Sequence, residues 1–193
     1  MTSRQVMFEI EKAAEVFPIK QNFADTVFEW GRELDRQGIV SGQEGGSLSY
    51  RHGLGFVITA RDANLHTLVA IDLVFVERWD FSSGRVTIRG RQEPPPESLL
   101  HAVIYQNRGG AIFTVFTRSR AVLKAAGELG LPVTDHPQAL DTPALASEVE
   151  GKLGRGNMVI VRNEGVLSFG CTVEDASRQV LTLIGNRKLR IAG

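Results

Sequence analysis

The sequence has a single cysteine, Cys171, and no excess of charge of either sign. One thiol excludes a disulfide within the chain and a cysteine-based zinc cluster. The 22 basic and 22 acidic side chains give a formal net charge of +0, so no strong field favours nucleic acid or an anionic membrane as a partner. No apolar run approaches the roughly 20 residues that cross a bilayer, and the amphipathic, partly acidic N-terminus is unlike a signal peptide. We therefore expect a cytoplasmic protein that binds neither nucleic acid nor membrane.

The composition is that of a globular chain. Hydrophobic residues make up 42% and charged residues 23% of the 193 residues, which suit one domain. Near the N-terminus, Ile10, Ala14 and Phe17 recur at helical spacing, and a proline follows them. This pattern predicts a helical N-terminal extension over residues 1–21, ahead of a main domain over residues 22–193.

Within the main domain, apolar periodicity changes repeatedly between the helical and the extended type. Short turns join pairs of strands, and helices lie between the pairs, which predicts a central, largely antiparallel sheet with helices on both faces. Helices are predicted over residues 23–37, 97–107, 118–129, 142–153 and 172–184, and strands over residues 47–52, 55–59, 68–76, 85–89, 111–117, 158–161 and 166–169.

Four short motifs follow one another along the chain. They are the strand Gly46–Arg51, the strand end Ile58–Asp62, the proline-led segment from Pro94 to Thr117 and the turn Asn163–Gly165. Their order and intervals resemble the class II aldolase/adducin family, to which L-fuculose-phosphate aldolase belongs. The resemblance covers most of the chain. It implies an α/β fold, a three-layer α/β/α sandwich around a mixed, mostly antiparallel sheet.

The resemblance also implies a metal site, and here the chain departs from the family. Family members hold zinc with a His-x-His pair on a strand and a third histidine in an N-H-G turn. The corresponding positions in this chain are Thr114, Phe116 and Glu164. A hydroxyl, a phenyl ring and one carboxylate cannot replace three imidazoles as zinc ligands. We therefore expect no metal site and no cofactor.

The phosphate pocket that the resemblance implies has changed as well. Its positions hold Ser47, Arg61-Asp62 and Pro95-Pro96, and the two prolines remove backbone donors as well as hydroxyls. Arg61 could bind an anion directly. The tyrosine that family aldolases supply from the C-terminal tail is absent from the last residues, RKLRIAG.

Glu97 occupies the position of the family's catalytic base and is the candidate base here. A buried carboxylate can abstract a proton, whereas a glutamate in the first turn of a helix can simply satisfy free N–H groups. His101 follows four residues later on the same helix face, which favours a structural, hydrogen-bonded histidine over a metal ligand. Glu164 either points into the cleft, paired with an arginine such as Arg118, or is a solvated turn residue. Arg118 is itself either an anion-binding residue or a surface charge.

These observations lead to one main hypothesis and two alternatives. The main hypothesis is a class II aldolase/adducin-like domain without zinc-dependent aldolase activity, which acts as a binding or assembly module, as the adducin head domain does within the family. Family resemblance also implies self-association, as a tetramer, and a small anionic metabolite is a possible ligand. The first alternative is a divergent aldehyde-lyase or decarboxylase acting on a small sugar phosphate or keto acid, with Glu97 as general base and zinc as a possible cofactor. The second is a metabolite sensor that keeps the cleft without the chemistry.

Overall fold

The structure is a computed structural model that describes residues 8–40, 45–125, 128 and 130–191. Helices lie between groups of strands along these residues. In chain order they are β1 (Glu9–Ala14), α1 (Gln21–Arg36), β2 (Gly46–His52), β3 (Gly55–Thr59), β4 (Leu73–Asp80), β5 (Arg85–Arg89), α2 (Ser98–Asn107), β6 (Phe113–Thr117), α3 (Arg120–Ala125), α4 (Pro143–Leu153), β7 (Met158–Val161), β8 (Gly165–Gly170) and α5 (Val173–Ile191).

The described strands form one 8-stranded sheet in the order β1-β5-β4-β3-β2-β6-β8-β7. Strands β2 to β5 form an antiparallel meander, and β6 joins its β2 edge before the β7–β8 hairpin completes the sheet. Among the strands that the structure describes, the pair of β1 and β5 is the parallel one. The predicted mixed, mostly antiparallel sheet is confirmed.

Apolar residues on the two faces of the sheet form two separate clusters, which gives the molecule its three layers. On one face, Phe56 of β3 and Phe116 of β6 pack with apolar residues of α2 and α4. On the other face, Leu48 of β2 and Val115 of β6 pack with residues of α1 and α5. Adjacent residues such as Val115 and Phe116 belong to opposite clusters because side chains alternate across a strand. Helices therefore cover both faces, as predicted.

The prediction of a helix at the N-terminus is wrong for the residues that the structure describes. Residues Glu9–Ala14 form strand β1, whose backbone pairs with β5 from Glu9 opposite Arg85 onward. Helical spacing of a few apolar residues is weak evidence beside an open sheet edge, whose unpaired N–H and C=O groups favour another strand. Residues 1–7 lie outside the described part of the chain. The strand also joins this segment to the main sheet.

Two other predicted boundaries are corrected by local hydrogen bonds. The strand predicted over residues 68–76 runs over Leu73–Asp80, because Ala70–Asp72 form a 3-10 turn in which the Asp72 carboxylate accepts from the Val69 amide at 3.1 Å. The helix predicted over residues 118–129 begins at Arg120, and its predicted residues 126, 127 and 129 lie outside the described part. Most other elements, including β3, β5 and α4, match their predicted bounds closely.

Candidate functional site

Two periodicities bring five polar side chains to one place between β2 and α2. Ser47 and Ser49 are two residues apart on β2, so they lie on the same face of the sheet. Glu97, His101 and Tyr105 are four residues apart at the start of α2 and along it, so they lie on the helix face that covers those serines. All five are buried, so their polar atoms must find partners among themselves or in nearby backbone.

A continuous line of hydrogen bonds joins these side chains. The Ser47 hydroxyl donates to Glu97 Oε1 at 2.9 Å and lies 3.1 Å from His101 Nε2. On the other side of the imidazole, His101 Nδ1 lies 2.7 Å from the Ser49 hydroxyl, which is 2.8 Å from the Tyr105 hydroxyl. Burial lowers the pKa of His101 to about 3 and raises the pKa of Tyr105 well above its ordinary value. Both side chains are therefore neutral at physiological pH.

Glu97 forms an ion pair with Arg118 on the side of this site that faces water. Its Oε2 accepts a hydrogen bond of 2.9 Å from Arg118 Nη2. The carboxylate side is only 2% exposed, whereas the Arg118 side chain is 34% exposed, so the guanidinium is the group that faces water. The guanidinium also lies 5.9 Å from the centre of the Phe116 ring, a distance at which cation–π attraction operates.

The structure excludes one of the two interpretations of Glu97 that the sequence left open, the local helix cap. Glu97 is the N-cap residue of α2, yet its side chain makes no hydrogen bond to the helix amides. Its two oxygens bind Ser47 and Arg118 instead. The carboxylate is therefore held by groups from β2 and from the residue that follows β6, and it does not act as a local helix cap.

The positions that correspond to the family's metal ligands hold side chains that do not fit a zinc ion. Thr114 and Phe116 lie on β6 directly opposite Ser49 and Ser47, and Phe116 is fully buried in the apolar cluster under α2. Glu164 is half-buried in the β7–β8 turn. A phenyl ring offers no donor atom, and a single carboxylate with a hydroxyl is a weak donor set for zinc. Among the residues that the structure describes, no three histidine, cysteine, aspartate or glutamate side chains gather as a possible metal site.

Arg61 lies beside the segment that leads into Glu97. Its amide donates to the Glu93 carbonyl at 2.8 Å, and its Nη1 lies 3.4 Å from the Glu93 carboxylate. Arg61 Nε and Nη2 are buried, and neither has a hydrogen-bond partner among the described residues. The next residue, Asp62, has φ 59°, a conformation that suits the glycine of the family motif and that aspartate tolerates better than most residues.

The structure thus brings together Ser47, Glu97 and Arg118 among the candidate residues, with Arg61 anchored to the neighbouring loop rather than to Glu97. The sequence motifs assigned no role to Ser49 or Tyr105, which complete the polar line. Their spacings were present in the sequence, at two residues from Ser47 and eight from Glu97. What was missing was the knowledge that β2 lies directly under α2.

Arg51 holds the far end of this site together. Its guanidinium donates to the backbone carbonyls of Tyr105, Arg108 and Ala111 at 2.8 to 3.0 Å, and it lies 5.1 Å from the centre of the Tyr105 ring. These contacts fix the C-terminal end of α2 against β2. Arg51 thereby supports the register that places His101 over the two serines.

The mostly antiparallel sandwich and the glutamate at the start of α2 define a class II aldolase-type fold. Residues 25–186 match the family model described as Class II Aldolase and Adducin N-terminal domain. The chain belongs to this family, as the sequence motifs predicted.

Solved structures with the same fold share little sequence with this chain. YgbL from Klebsiella pneumoniae, described as a putative aldolase/epimerase/decarboxylase, superposes with a TM-score of 0.74 at 18% identity, covering 91% of each chain. L-fuculose-1-phosphate aldolase from Thermus thermophilus gives a TM-score of 0.70 at 18% identity, covering 90% of this chain and 94% of that one. The N-terminal class II aldolase domain of a conserved Thermoplasma acidophilum protein gives 0.66 at 17% identity, covering 98% and 100%. No curated protein matches the chain in sequence.

None of the helices in the described part of the chain is both long and apolar enough to cross a membrane.

Proposed function

We propose that this chain is a class II aldolase/adducin-family protein that binds a small anionic metabolite in the cleft and does not carry out zinc-dependent aldol cleavage. The observation that carries the proposal is the ion pair between Arg118 and Glu97 beside the Phe116 ring. In this chain Phe116 occupies a position where the family resemblance implies an imidazole ligand, and the Arg118 guanidinium lies beside its ring. A binding or assembly role follows from the same substitution.

Two arginines support an anionic ligand. Arg61 has two buried N–H-bearing atoms without a partner among the described residues, and unpaired buried donors are costly unless a ligand satisfies them. Arg118 is partly exposed and can donate hydrogen bonds to a second anion while it stays near Glu97. Guanidinium groups favour carboxylate and phosphate because their planar N–H groups match two oxygens at once. Phosphate esters and small carboxylates are therefore the ligand classes to test.

Binding can be measured by calorimetry and by thermal shift with inorganic phosphate and pyruvate as probes. Saturable binding should raise the melting temperature with ligand concentration, and Arg61→Gln should weaken it. Arg85→Gln is the matched control, because Arg85 is an exposed arginine that pairs with Glu9 at the far edge of the sheet. No binding of either probe, or equal binding by both variants, would contradict the anion site.

The absence of zinc chemistry has its own test. Protein purified without chelators should contain no stoichiometric zinc by elemental analysis, and the triple variant Thr114→His, Phe116→His, Glu164→His should acquire zinc. Stoichiometric zinc in the natural protein that Glu164→Gln removes would overturn the proposal.

A second candidate function is lyase or decarboxylase activity with Glu97 as general base. It is favoured by the burial of Glu97, which is 1% exposed, together with the Ser47 hydroxyl that holds one of its oxygens. Retro-aldol cleavage of sugar phosphates and decarboxylation of small keto acids can be assayed with and without added zinc. Turnover that Glu97→Gln abolishes and Glu93→Gln retains would establish the enzyme over the binding module.

We further propose that the protein self-associates, as a tetramer, in the cytoplasm. Membership of the family supports self-association, since family sites are expected at subunit interfaces. Sedimentation analysis at several protein concentrations measures the assembly state. A monomer at all concentrations would contradict this part of the proposal.

A further inference from the structure

We propose that Tyr105, Ser49, His101 and Ser47 form a one-directional hydrogen-bond relay that positions Glu97, with His101 held as the neutral tautomer that carries its proton on Nε2. In this relay His101 is a positioning residue that acts on the carboxylate through Ser47. The inference rests on the proposed function in one respect only, the use of Glu97 in the cleft. The hydrogen-bond arrangement rests on the distances between these side chains, on the pairing of Glu97 with Arg118 and on the burial of a neutral His101.

The direction of the relay begins at the carboxylate. Glu97 is paired with Arg118 at 2.9 Å, and an ionised carboxylate only accepts hydrogen bonds. The single hydrogen of the Ser47 hydroxyl must therefore point to Glu97 Oε1, 2.9 Å away. Ser47 has no other hydrogen to offer His101 Nε2 at 3.1 Å. That contact is a hydrogen bond only when Nε2 carries the proton and its N–H group donates a hydrogen bond to the Ser47 oxygen.

The proton on Nε2 of the imidazole also determines the role of the other ring nitrogen, Nδ1. A neutral imidazole has one N–H, so with the proton on Nε2 the Nδ1 atom is an acceptor. Ser49, 2.7 Å away, must donate to Nδ1. The Ser49 oxygen then accepts from the Tyr105 hydroxyl at 2.8 Å, since the single hydrogen of Ser49 is already used on Nδ1. One assignment of four hydrogens satisfies every short contact.

The relay has a consequence for the two oxygens of Glu97. Oε1 accepts a hydrogen bond from Ser47 on the inner side, and Oε2 faces the partly exposed Arg118. Because Arg118 is the exposed member of the pair, we expect a ligand or a substrate proton to reach Oε2 when Arg118 moves. Both nitrogens of His101 are engaged by serine hydroxyls, so His101 is neither a metal ligand nor a base that contacts a ligand.

Ser47 is the residue on which this arrangement depends. A hydroxyl oxygen accepts and donates at one atom, so it can link an imidazole N–H to a carboxylate over a short distance. The family resemblance places an asparagine at this position, and an amide accepts and donates at two separate atoms. The serine is thus a feature of this chain that directs the position toward Glu97 and away from a ligand phosphate.

Nitrogen-15 NMR of histidine-labelled protein at neutral pH tests the inference, with His101→Gln used to assign the signal. We expect the Nε2–H tautomer in the natural protein, in Ser47→Thr and in Tyr105→Phe. Each of these proteins keeps a hydroxyl group at position 47 and the hydroxyl group of Ser49. Ser47→Ala should switch His101 to the Nδ1–H tautomer, since Ser49 can then accept from Nδ1 and donate to Tyr105.

A natural protein with the Nδ1–H tautomer, or a Ser47→Ala variant that keeps Nε2–H, would overturn the relay. Should Ser47→Ala not fold, the tautomer of the natural protein decides alone. This readout needs no ligand and no turnover. A confirmed relay in a protein that binds neither phosphate nor pyruvate would therefore count against the proposed function and not against the relay.

Discussion

The ion pair between Glu97 and Arg118 predicts an asymmetric response to removal of either partner. Arg118→Met leaves a carboxylate that is 2% exposed without its counter-charge, whereas Glu97→Gln leaves a guanidinium side chain that is 34% exposed and can turn to water. An uncompensated buried charge is far more costly than an exposed one. The arginine variant should therefore be the less stable of the two, although arginine is the more exposed partner.

The size of the effect follows from the burial. Removing one partner of a fully buried pair costs about 3–5 kcal/mol. Because water reaches the Arg118 side of this pair and Ser47 still donates to Glu97, we expect about 2 kcal/mol for Arg118→Met. Glu97→Gln loses one charge-assisted hydrogen bond and should cost about 1 kcal/mol. For a domain of this length these values correspond to losses of about 4–8 °C and about 2–4 °C in melting temperature.

Calorimetric melting at one fixed protein concentration provides the measurement, so that any self-association affects all variants equally. The double variant Glu97→Gln, Arg118→Met is the control. It buries no unpaired charge and should be more stable than Arg118→Met alone. Equal losses for the two single variants, or a double variant less stable than Arg118→Met, would refute the reasoning.

Three further predictions concern the scaffold around the site. A Cβ on Gly165 would lie 2.2 Å from the Thr117 carbonyl oxygen, so Gly165→Ala should lower the melting temperature markedly. Gly109 has open space around it, so Gly109→Ala should not lower the melting temperature. Similar losses for the two variants would contradict the close approach at Gly165. Thr142→Ala should cost about 1 kcal/mol in urea unfolding, because its hydroxyl accepts from a first-turn amide of α4, and Thr142→Ser should retain most of that stability. Burial lowers the pKa of His101 from 6.5 to about 3. Below pH 6.5 the unfolded chain therefore binds a proton that the folded chain does not. The free energy of unfolding then decreases as the pH is lowered, by at most about 1.4 kcal/mol per pH unit. His101→Gln should therefore flatten the dependence of the urea midpoint on pH from 6.5 down to about 5; an unchanged slope would show that His101 is not the group responsible.

Much of the scaffold could be predicted from the sequence because its signals are local. Thr142 followed by proline marks the start of α4, and the Thr142 hydroxyl caps the helix. Thr172 and Asp175 form the reciprocal hydrogen bonds of a capping box at the start of α5. The Asn163–Gly165 turn also forms where it was predicted, with Asn163 at φ 64°. Each of these signals depends on residues within three positions of one another.

The prediction for the N-terminal segment was wrong because its structure depends on a partner that is distant in the sequence. The apolar residues of Glu9–Ala14 fit helical spacing, but the partner that makes this segment a strand is β5, more than seventy residues later in the chain. Local periodicity contains no information about an open sheet edge that forms elsewhere. Pairing with that edge satisfies the backbone of the segment and overrides its weak helical pattern.

The sequence by itself determined the family, the order of elements from α1 onward and the side chains that replace the expected zinc ligands, because motif order and donor chemistry are properties of residue types. Only the tertiary structure decided that Ser47, His101 and Glu97 form one hydrogen-bonded line, and that Arg118 binds Glu97 while Arg61 binds Glu93. These contacts join residues up to 54 positions apart. They depend on how the start of α2 lies across β2 and the end of β6, which is fixed by packing in the apolar layer between helix and sheet.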